Sequence, residues 1–228
     1  MRIRRGRLLG ALRPRARWDA SAPVSDVADA TRRYLMFVLL PAWFAPGVAD
    51  WWMHRRTRIE TTSGSRESLI HLLMMAEIGV PILAALLLEI NPLVLAVMAG
   101  AVVVHEATAW WDVRVAVDSD RAVEAAEQHL HSFLEVIPFM AFAGIACLHW
   151  PALRALLRGE VRAAARPGAW RLRRKQPPIP ARYTGSVLAA ITAFIALPYG
   201  EELLRCVRST PAGSRGRRAV SALHPVPA

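Results

Sequence analysis

The chain has 228 residues, of which 54% are hydrophobic, and its mean hydropathy is +0.26. A formal net charge of +11 is compatible with a nucleic-acid partner, but the basic residues mostly flank hydrophobic blocks, where orientation in a membrane explains them. The composition therefore indicates an integral membrane protein and argues against nucleic-acid binding.

Five hydrophobic windows approach the roughly 17 to 25 apolar residues that a membrane-spanning helix needs. Prolines and glycines interrupt the first and the fifth window, and the middle three are the strongest. The sequence therefore predicts an all-α, polytopic membrane bundle of four or five transmembrane helices. The five windows cover residues 34–53, 68–90, 92–111, 132–150 and 184–204.

The windows divide the chain into five regions. Asn91 and Pro92 predict a tight turn, so the second and third spans should be antiparallel neighbours. The charged stretch 112–130 is expected to continue as helix beyond the membrane surface. The regions are a basic cytoplasmic tail (1–33), a four-helix transmembrane core with the candidate metal site (34–150), a basic, proline-containing linker (151–183), a probable fifth span (184–208) and a disordered tail (209–228).

The distribution of basic residues predicts which end of the bundle faces the cytoplasm. With the N-terminus inside, the cytoplasmic side receives eighteen lysines and arginines and the opposite side eleven. Basic segments stay preferentially on the cytoplasmic side, so a cytoplasmic N-terminus is favoured. A strong excess of arginine over lysine, with abundant alanine and proline, is typical of a GC-rich bacterial gene. We therefore expect a bacterial inner membrane.

Alternating spans bring four helix ends to one face: the end of the first span, the start of the second, the end of the third and the start of the fourth. Each end carries histidine and carboxylate at a spacing of four or seven residues, which places them on one helical stripe. The groups are Asp50 and His54; Glu67 and His71; His105 and Asp112; and Glu127, His131 and Glu135.

This pattern predicts a metal site. Imidazole nitrogen and carboxylate oxygen suit iron, manganese or zinc, and carboxylates can bridge two ions. Helical bundles hold two metals with such side chains directed inward. We expect iron, with two ions a clear option and zinc or manganese as alternatives. Taken singly, charged residues at helix ends such as Glu67 and Glu127 are more typical of caps and ion pairs than of catalysis.

Two further carboxylates are assigned catalytic roles near this site. Glu77 lies two helical turns from His71 and is predicted to be a neighbour of the site or a proton relay. Glu106 is adjacent to His105 and is expected to orient an imidazole. His129 points away from the stripe of His131, so we place it outside the ligand set.

Histidines gathered from several membrane helices between residues 50 and 135 resemble those of the integral-membrane di-iron hydroxylases and desaturases. The repeated histidine boxes of those enzymes are missing here, apart from His129 and His131. Carboxylates are a large share of the candidate ligands, and in this respect the chain resembles di-iron carboxylate bundles. The Glu-x-x-His spacing of those bundles is replaced here by a spacing of four. The likeness does not assign the chain to a family.

The leading hypothesis is a membrane-bound, metal-dependent enzyme. An oxidoreductase of hydroxylase type, acting on a lipid or hydrophobic substrate that enters from the bilayer, is favoured. A proton-coupled transporter or carrier that uses the same residues is the main alternative. A haem b protein with two histidine ligands and a non-catalytic membrane assembly factor are further alternatives.

Overall fold

The computed structural model describes residues 23–119, 123–158 and 170–209. Five long helices are apolar enough to cross a membrane, and a short helix follows the fourth. The all-α bundle predicted from the sequence is confirmed, and the fifth span belongs to it. The helices are α1 (Val27–Arg56), α2 (Ser65–Leu87), α3 (Pro92–Asp118), α4 (Ala125–Leu148), α5 (Trp150–Leu157) and α6 (Ala181–Ser209).

Some boundaries differ from the sequence prediction. The first helix begins at Val27, before the predicted start at residue 34, because Asp26 caps it by accepting a hydrogen bond from the Asp29 N–H. The single helix expected over 112–130 is wrong, since α3 ends at Asp118 and α4 begins at Ala125. Most of the predicted N-terminal tail, the centre of the linker and almost all of the predicted disordered tail lie outside the described residues.

The five long helices form a closed ring. Helix α1 packs against α4 and α6, α2 packs against α3 and α6, and α3 packs against α4. The turn predicted at Asn91 and Pro92 joins α2 to α3, with the Asn91 side chain accepting a hydrogen bond from the Val94 N–H. Buried apolar residues such as Trp43, Ile78 and Ile137 fill the middle of the ring. A ring of this kind gives all five helices access to one interior.

Part of the basic linker is folded onto the turn between α2 and α3. The Glu89 N–H donates to the Arg173 carbonyl at 2.9 Å, and the Lys175 N–H donates to the Leu87 carbonyl at 2.8 Å. The Asn91 amide also donates to the Arg171 carbonyl. These bonds fix the start of α6 beside the opposite end of the ring from the candidate metal ligands.

Two prolines explain the only π-helical turns in the described ranges. A proline has no N–H and its ring clashes with the carbonyl four residues earlier. For Pro41 and Pro198 those carbonyls belong to Phe37 and Phe194. Both residues lie inside wider, π-helical turns, at Leu35–Leu39 and Thr192–Ala196, so the chain stays helical through each proline.

Gly47 allows α6 to approach α1 closely. A Cβ atom at this position would lie 3.0 Å from the Ile195 side chain. The Tyr199 hydroxyl, one turn further along α6, lies 3.0 Å from the Gly47 carbonyl oxygen. The small residue therefore positions the end of α6 against α1.

We predict that Gly47→Val destabilises the protein by about 1–3 kcal/mol, because the larger side chain overpacks the α1–α6 contact. The matched control is Gly79→Val on α2, where no atom lies within 4 Å of an added Cβ. Thermal unfolding in detergent measures both. Equal melting temperatures for the two variants would contradict the close packing at Gly47.

Candidate metal centre

Eight ionisable side chains meet at one end of the ring, and all five long helices contribute. We call these eight residues the polar cluster. Seven have side chains exposed by 3% or less, and His131 is exposed by 14%. They are Asp50 and His54 of α1, Glu67 and His71 of α2, Asp112 of α3, Glu127 and His131 of α4, and Glu202 of α6.

Ligand atoms of the polar cluster form two overlapping sets. In each set, one donor atom per residue lies within 4.8 Å of all the others, which is close enough for a shared metal ion. His54 belongs to both sets and therefore joins them. The first set is Asp50, His54, Glu127 and His131, and the second is His54, Glu67 and His71.

The first set is arranged around the carboxylate of Asp50. Asp50 Oδ1 lies 2.9 Å from His131 Nε2 and 3.4 Å from His54 Nε2. His54 Nε2 is also 3.5 Å from Glu127 Oε1. The spacing of four between Asp50 and His54 places both on the inner face of α1, as the sequence pattern indicated. Two imidazole nitrogens and two carboxylates thus converge.

The second set centres on His71. His71 Nε2 lies 3.3 Å from Asp112 Oδ1 and 3.8 Å from Glu67 Oε1. The rings of His71 and His54 are stacked, with centroids 4.4 Å apart and planes 11° from parallel. Asp112 therefore extends the second set by a further carboxylate, and the stacked rings hold the two sets side by side.

Glu202 of α6 orients both central histidines. Its Oε2 lies 2.8 Å from His54 Nδ1 and its Oε1 lies 3.1 Å from His71 Nδ1. An ionised carboxylate only accepts hydrogen bonds, so it favours a proton on each Nδ1. The lone pair is then on Nε2, the nitrogen that faces the other carboxylates. Carboxylates play this orienting role behind metal-bound histidines.

Tyr199 fixes the carboxylate of Asp50 from the same helix. Its hydroxyl lies 3.0 Å from Asp50 Oδ2 and 3.0 Å from the Gly47 carbonyl oxygen. The side chain is fully buried. Because Asp50 Oδ2 is occupied in this way, Oδ1 is the oxygen that faces the histidines.

A network of exposed and half-buried groups covers the polar cluster. We call it the rim. Glu201 accepts hydrogen bonds from Trp51 Nε1 at 3.0 Å and from Arg55 at 2.9 Å. Arg205 bridges Glu201 and Glu60. Exposed ion pairs of this kind stabilise weakly. The rim therefore covers the polar cluster but adds little to the stability of the protein.

A small cavity of about 20 Å³ borders the polar cluster. This volume is enough for one water-sized molecule. Its wall includes Asp50, His71, Asp112 and His131, together with apolar residues such as Leu134. The cavity leaves room for a small reactant directly beside the ligand atoms.

The predicted ligands His105 and Glu135 lie beside the polar cluster and belong to neither set. Both line the small cavity. His105 Nδ1 lies 3.6 Å from Glu77 Oε2, and the Thr108 hydroxyl donates to Glu77 Oε1 at 2.9 Å. The ring of His105 also lies near backbone carbonyl groups of α2 and α4. It therefore contacts Glu77 and the neighbouring backbone and is not part of either set.

The two carboxylates assigned catalytic roles fall at different distances from the centre. Glu77 contacts His105, as described above. Glu106 is half-buried on α3, close enough to Glu135 for the two charges to repel each other. It makes no contact with the polar cluster among the described residues. His129, placed outside the ligand set, is exposed and packs edge-on against Phe133.

The polar cluster fits a divalent cation electrostatically. Within the described ranges, Asp50, Asp112 and Glu202 form ion pairs with imidazoles alone. A buried carboxylate is costly unless a cation compensates it. These three carboxylates carry three negative charges, which one or two divalent ions would compensate. The arrangement is therefore a buried His/Asp/Glu group that could bind metal.

Sequence reasoning missed Glu202 and Tyr199. Both lie near the end of the fifth span, which reaches the same end of the ring as the four places that were searched. Carboxylates inside a membrane span are rare and usually functional, so the adjacent pair Glu201 and Glu202 carried a usable signal. The signal was overlooked because the breaks at Pro198 and Gly200 weakened the case for this span.

Comparisons with protein-family models, with curated proteins and with solved structures found no match for this chain. The functional argument therefore rests on the geometry of the polar cluster.

We predict that Tyr199→Phe destabilises the protein by about 1–3 kcal/mol, because a buried Asp50 oxygen loses its hydroxyl partner. Tyr34→Phe is the matched control, since Tyr34 is exposed on α1. Denaturant or thermal unfolding in detergent compares them. Unchanged stability in Tyr199→Phe would contradict the contact between α6 and Asp50.

Proposed function

We propose that this protein is a membrane-bound, metal-dependent oxidoreductase that binds two divalent ions, most favourably iron, in the polar cluster. One observation carries the proposal: three imidazoles and five carboxylates from five helices converge in the polar cluster, and six of these eight residues form two sets that share His54. Ion pairs that only stabilise the fold do not require so many carboxylates, nor that several carboxylates share the same imidazoles.

The donor set and its surroundings support oxidation over hydrolysis. Mixed imidazole and carboxylate ligands suit iron, and paired ions held by carboxylates are a bundle solution for oxygen chemistry. The ligand side chains are almost completely shielded from solvent, and apolar side chains line the ring beyond them. A shielded centre within a membrane bundle is suited to a hydrophobic substrate.

The proposed reaction class is hydroxylation of a C–H bond by dioxygen. One oxygen atom enters the substrate and the other leaves as water, while an external donor supplies two electrons and two protons. Bound metal would supply the activation of dioxygen. The small cavity of about 20 Å³ beside Asp50 and His71 gives free space next to the candidate ligand atoms.

The remaining residues have supporting roles in this proposal. Glu202 orients His54 and His71 through their Nδ1 atoms, and Tyr199 orients Asp50. Glu77, bridged to α3 by Thr108 and close to His105, would hold a proton next to a histidine that lines the small cavity.

We predict two bound divalent ions per chain after purification without chelators. His54→Ala should lose most of this metal, because His54 belongs to both sets. His129→Ala removes an exposed histidine and should retain it. Elemental analysis of folded, monodisperse protein gives the count. Wild-type protein without metal, after reconstitution with iron, manganese and zinc in turn, would overturn metal binding.

We also predict that Glu202→Ala weakens metal affinity by about 10- to 100-fold, the usual effect of losing an orienting partner. The adjacent Glu201→Ala is the control, because Glu201 belongs to the rim. Competition with a coloured chelator measures both affinities. A comparable loss in the two variants would indicate a general effect of charge and would contradict the orienting role.

The oxidoreductase assignment is tested with protein loaded anaerobically with ferrous iron. Addition of dioxygen should change the absorption spectrum, and with a chemical reductant and membrane lipid extract it should yield lipids that have gained one oxygen atom, detected by mass spectrometry. His54→Ala should yield neither. Metal-replete protein that consumes no dioxygen with any lipid fraction would overturn the oxidoreductase assignment and leave metal binding intact.

A further inference from the structure

A second, much larger cavity opens at the opposite end of the ring from the rim. Its volume is about 970 Å³, within the range of ligand-binding pockets. It lies between α1, α2, α3 and α4, and the docked part of the linker closes one side. Most of its wall is apolar, with Leu39, Trp43, Ile82 and Phe142 among the residues that face it.

The mouth of this large cavity is basic. Arg32, His149 and Lys175 lie there. The Lys175 ammonium group donates to the Ala85 carbonyl oxygen, and no carboxylate lies within 4.0 Å of it in the parts of the chain that the structure describes. Within the same described ranges, Arg32 has one ion pair, a long one of 3.9 Å with Asp29.

The acidic groups at the mouth are already engaged. Asp29 pairs with Arg33 at 3.1 Å, and Asp26 caps α1. Glu89 pairs with Arg173 at 3.7 Å. Lys175 is therefore a half-buried cation without a matched acid, in a position that favours an anion.

Mutual repulsion of the basic groups supports this view of the mouth. Burial and the nearby charge of Arg32 lower the pKa of Lys175 to about 8. Burial, with Lys175 and Arg32 close by, also lowers the pKa of His149. An anion at the mouth would relieve this repulsion and favour the charged form of Lys175.

The deep end of the large cavity reaches the neighbourhood of the polar cluster. Ile78, Val102 and Ile137 line it. One turn further along the same helices, Met75, His105 and Leu134 line the small cavity. A helical turn advances about 5.4 Å, so the two cavities lie about one turn apart on three helices.

We propose that the large cavity binds an amphiphile with an anionic headgroup and a hydrocarbon chain, the headgroup at Arg32 and Lys175 and the chain directed towards the polar cluster. On α1, Arg32 and Trp43 are eleven residues apart, or about 16 Å, which a long acyl chain can span. Binding stands on the cavity alone. The identification of this amphiphile as the substrate rests on the proposed function.

Binding is tested with palmitate that carries a photoactivatable group near the end of its chain. The test uses full-length protein in neutral detergent, both metal-loaded and chelator-treated. Crosslinks should map to α2 and α4 near Ile78 and Ile137. Excess palmitate should suppress them, and methyl palmitate, which lacks the charge, should compete far more weakly. A single-chain phosphate amphiphile in the same competition distinguishes a carboxylate from a phosphate headgroup.

Two pairs of variants locate the ligand. In Lys175→Gln, the palmitate concentration needed to suppress crosslinking should rise by roughly tenfold or more, as expected for a lost charged contact. The neighbouring Arg174→Gln, which is exposed and outside the cavity, should leave this concentration unchanged. Ala141→Trp places a bulky ring in the cavity one turn from Ile137 and should strongly reduce crosslinking there. Ala143→Trp, exposed on the outer face of α4, should not. Melting temperature and metal content confirm that each variant is folded.

The outcomes separate this inference from the proposed function. Crosslinks scattered over the outer faces of the helices, or equal behaviour within both pairs of variants, would overturn the binding site whether or not metal is present. Specific crosslinking that persists after chelation supports the binding site even if no oxidation occurs. Oxidised palmitate formed by metal-loaded protein, and lost in Ala141→Trp, would identify the amphiphile as substrate.

Discussion

Burial of acidic groups inside a membrane bundle is the constraint on which the rest of this structure depends. Five carboxylates leave water at one end of the ring, and imidazoles are the ion-pair partners observed for Asp50, Asp112 and Glu202. Isolated charges are strongly disfavoured there. The helices must therefore approach one another closely at this end, which the ring order and Gly47 permit.

The two ends of the ring differ in composition. The rim end concentrates ligand atoms and shields them, whereas the opposite end holds an apolar cavity with a basic mouth. Prolines contribute to this division, because the wider turns before Pro41 and Pro198 keep α1 and α6 continuous between the two ends. In the proposed function, the headgroup of the amphiphile and the metal centre would be separated by the length of its hydrocarbon chain.

The sequence predicted the helical membrane fold and most of the polar cluster, because two rules act locally. Apolar length marks a span, and a spacing of four places Asp50 with His54 and Glu67 with His71. The rules failed for residues whose contacts are determined by packing between helices that are distant in the sequence. His105 has the right spacing from Asp112 but turns towards Glu77, and Glu202 has no histidine at helical spacing. Its partners come from α1 and α2, a relation that only the ring order reveals.

The contribution of α6 bears on how the protein matures. Glu202 and Tyr199 belong to α6, which is synthesised after the other four long helices. A nascent chain with only the first four helices inserted has the remaining ligand side chains but lacks the group that orients His54 and His71. In the proposed function, ion capture with the correct ring orientation would therefore follow insertion of α6, and a chain truncated before α6 would lack the group that orients the two histidines.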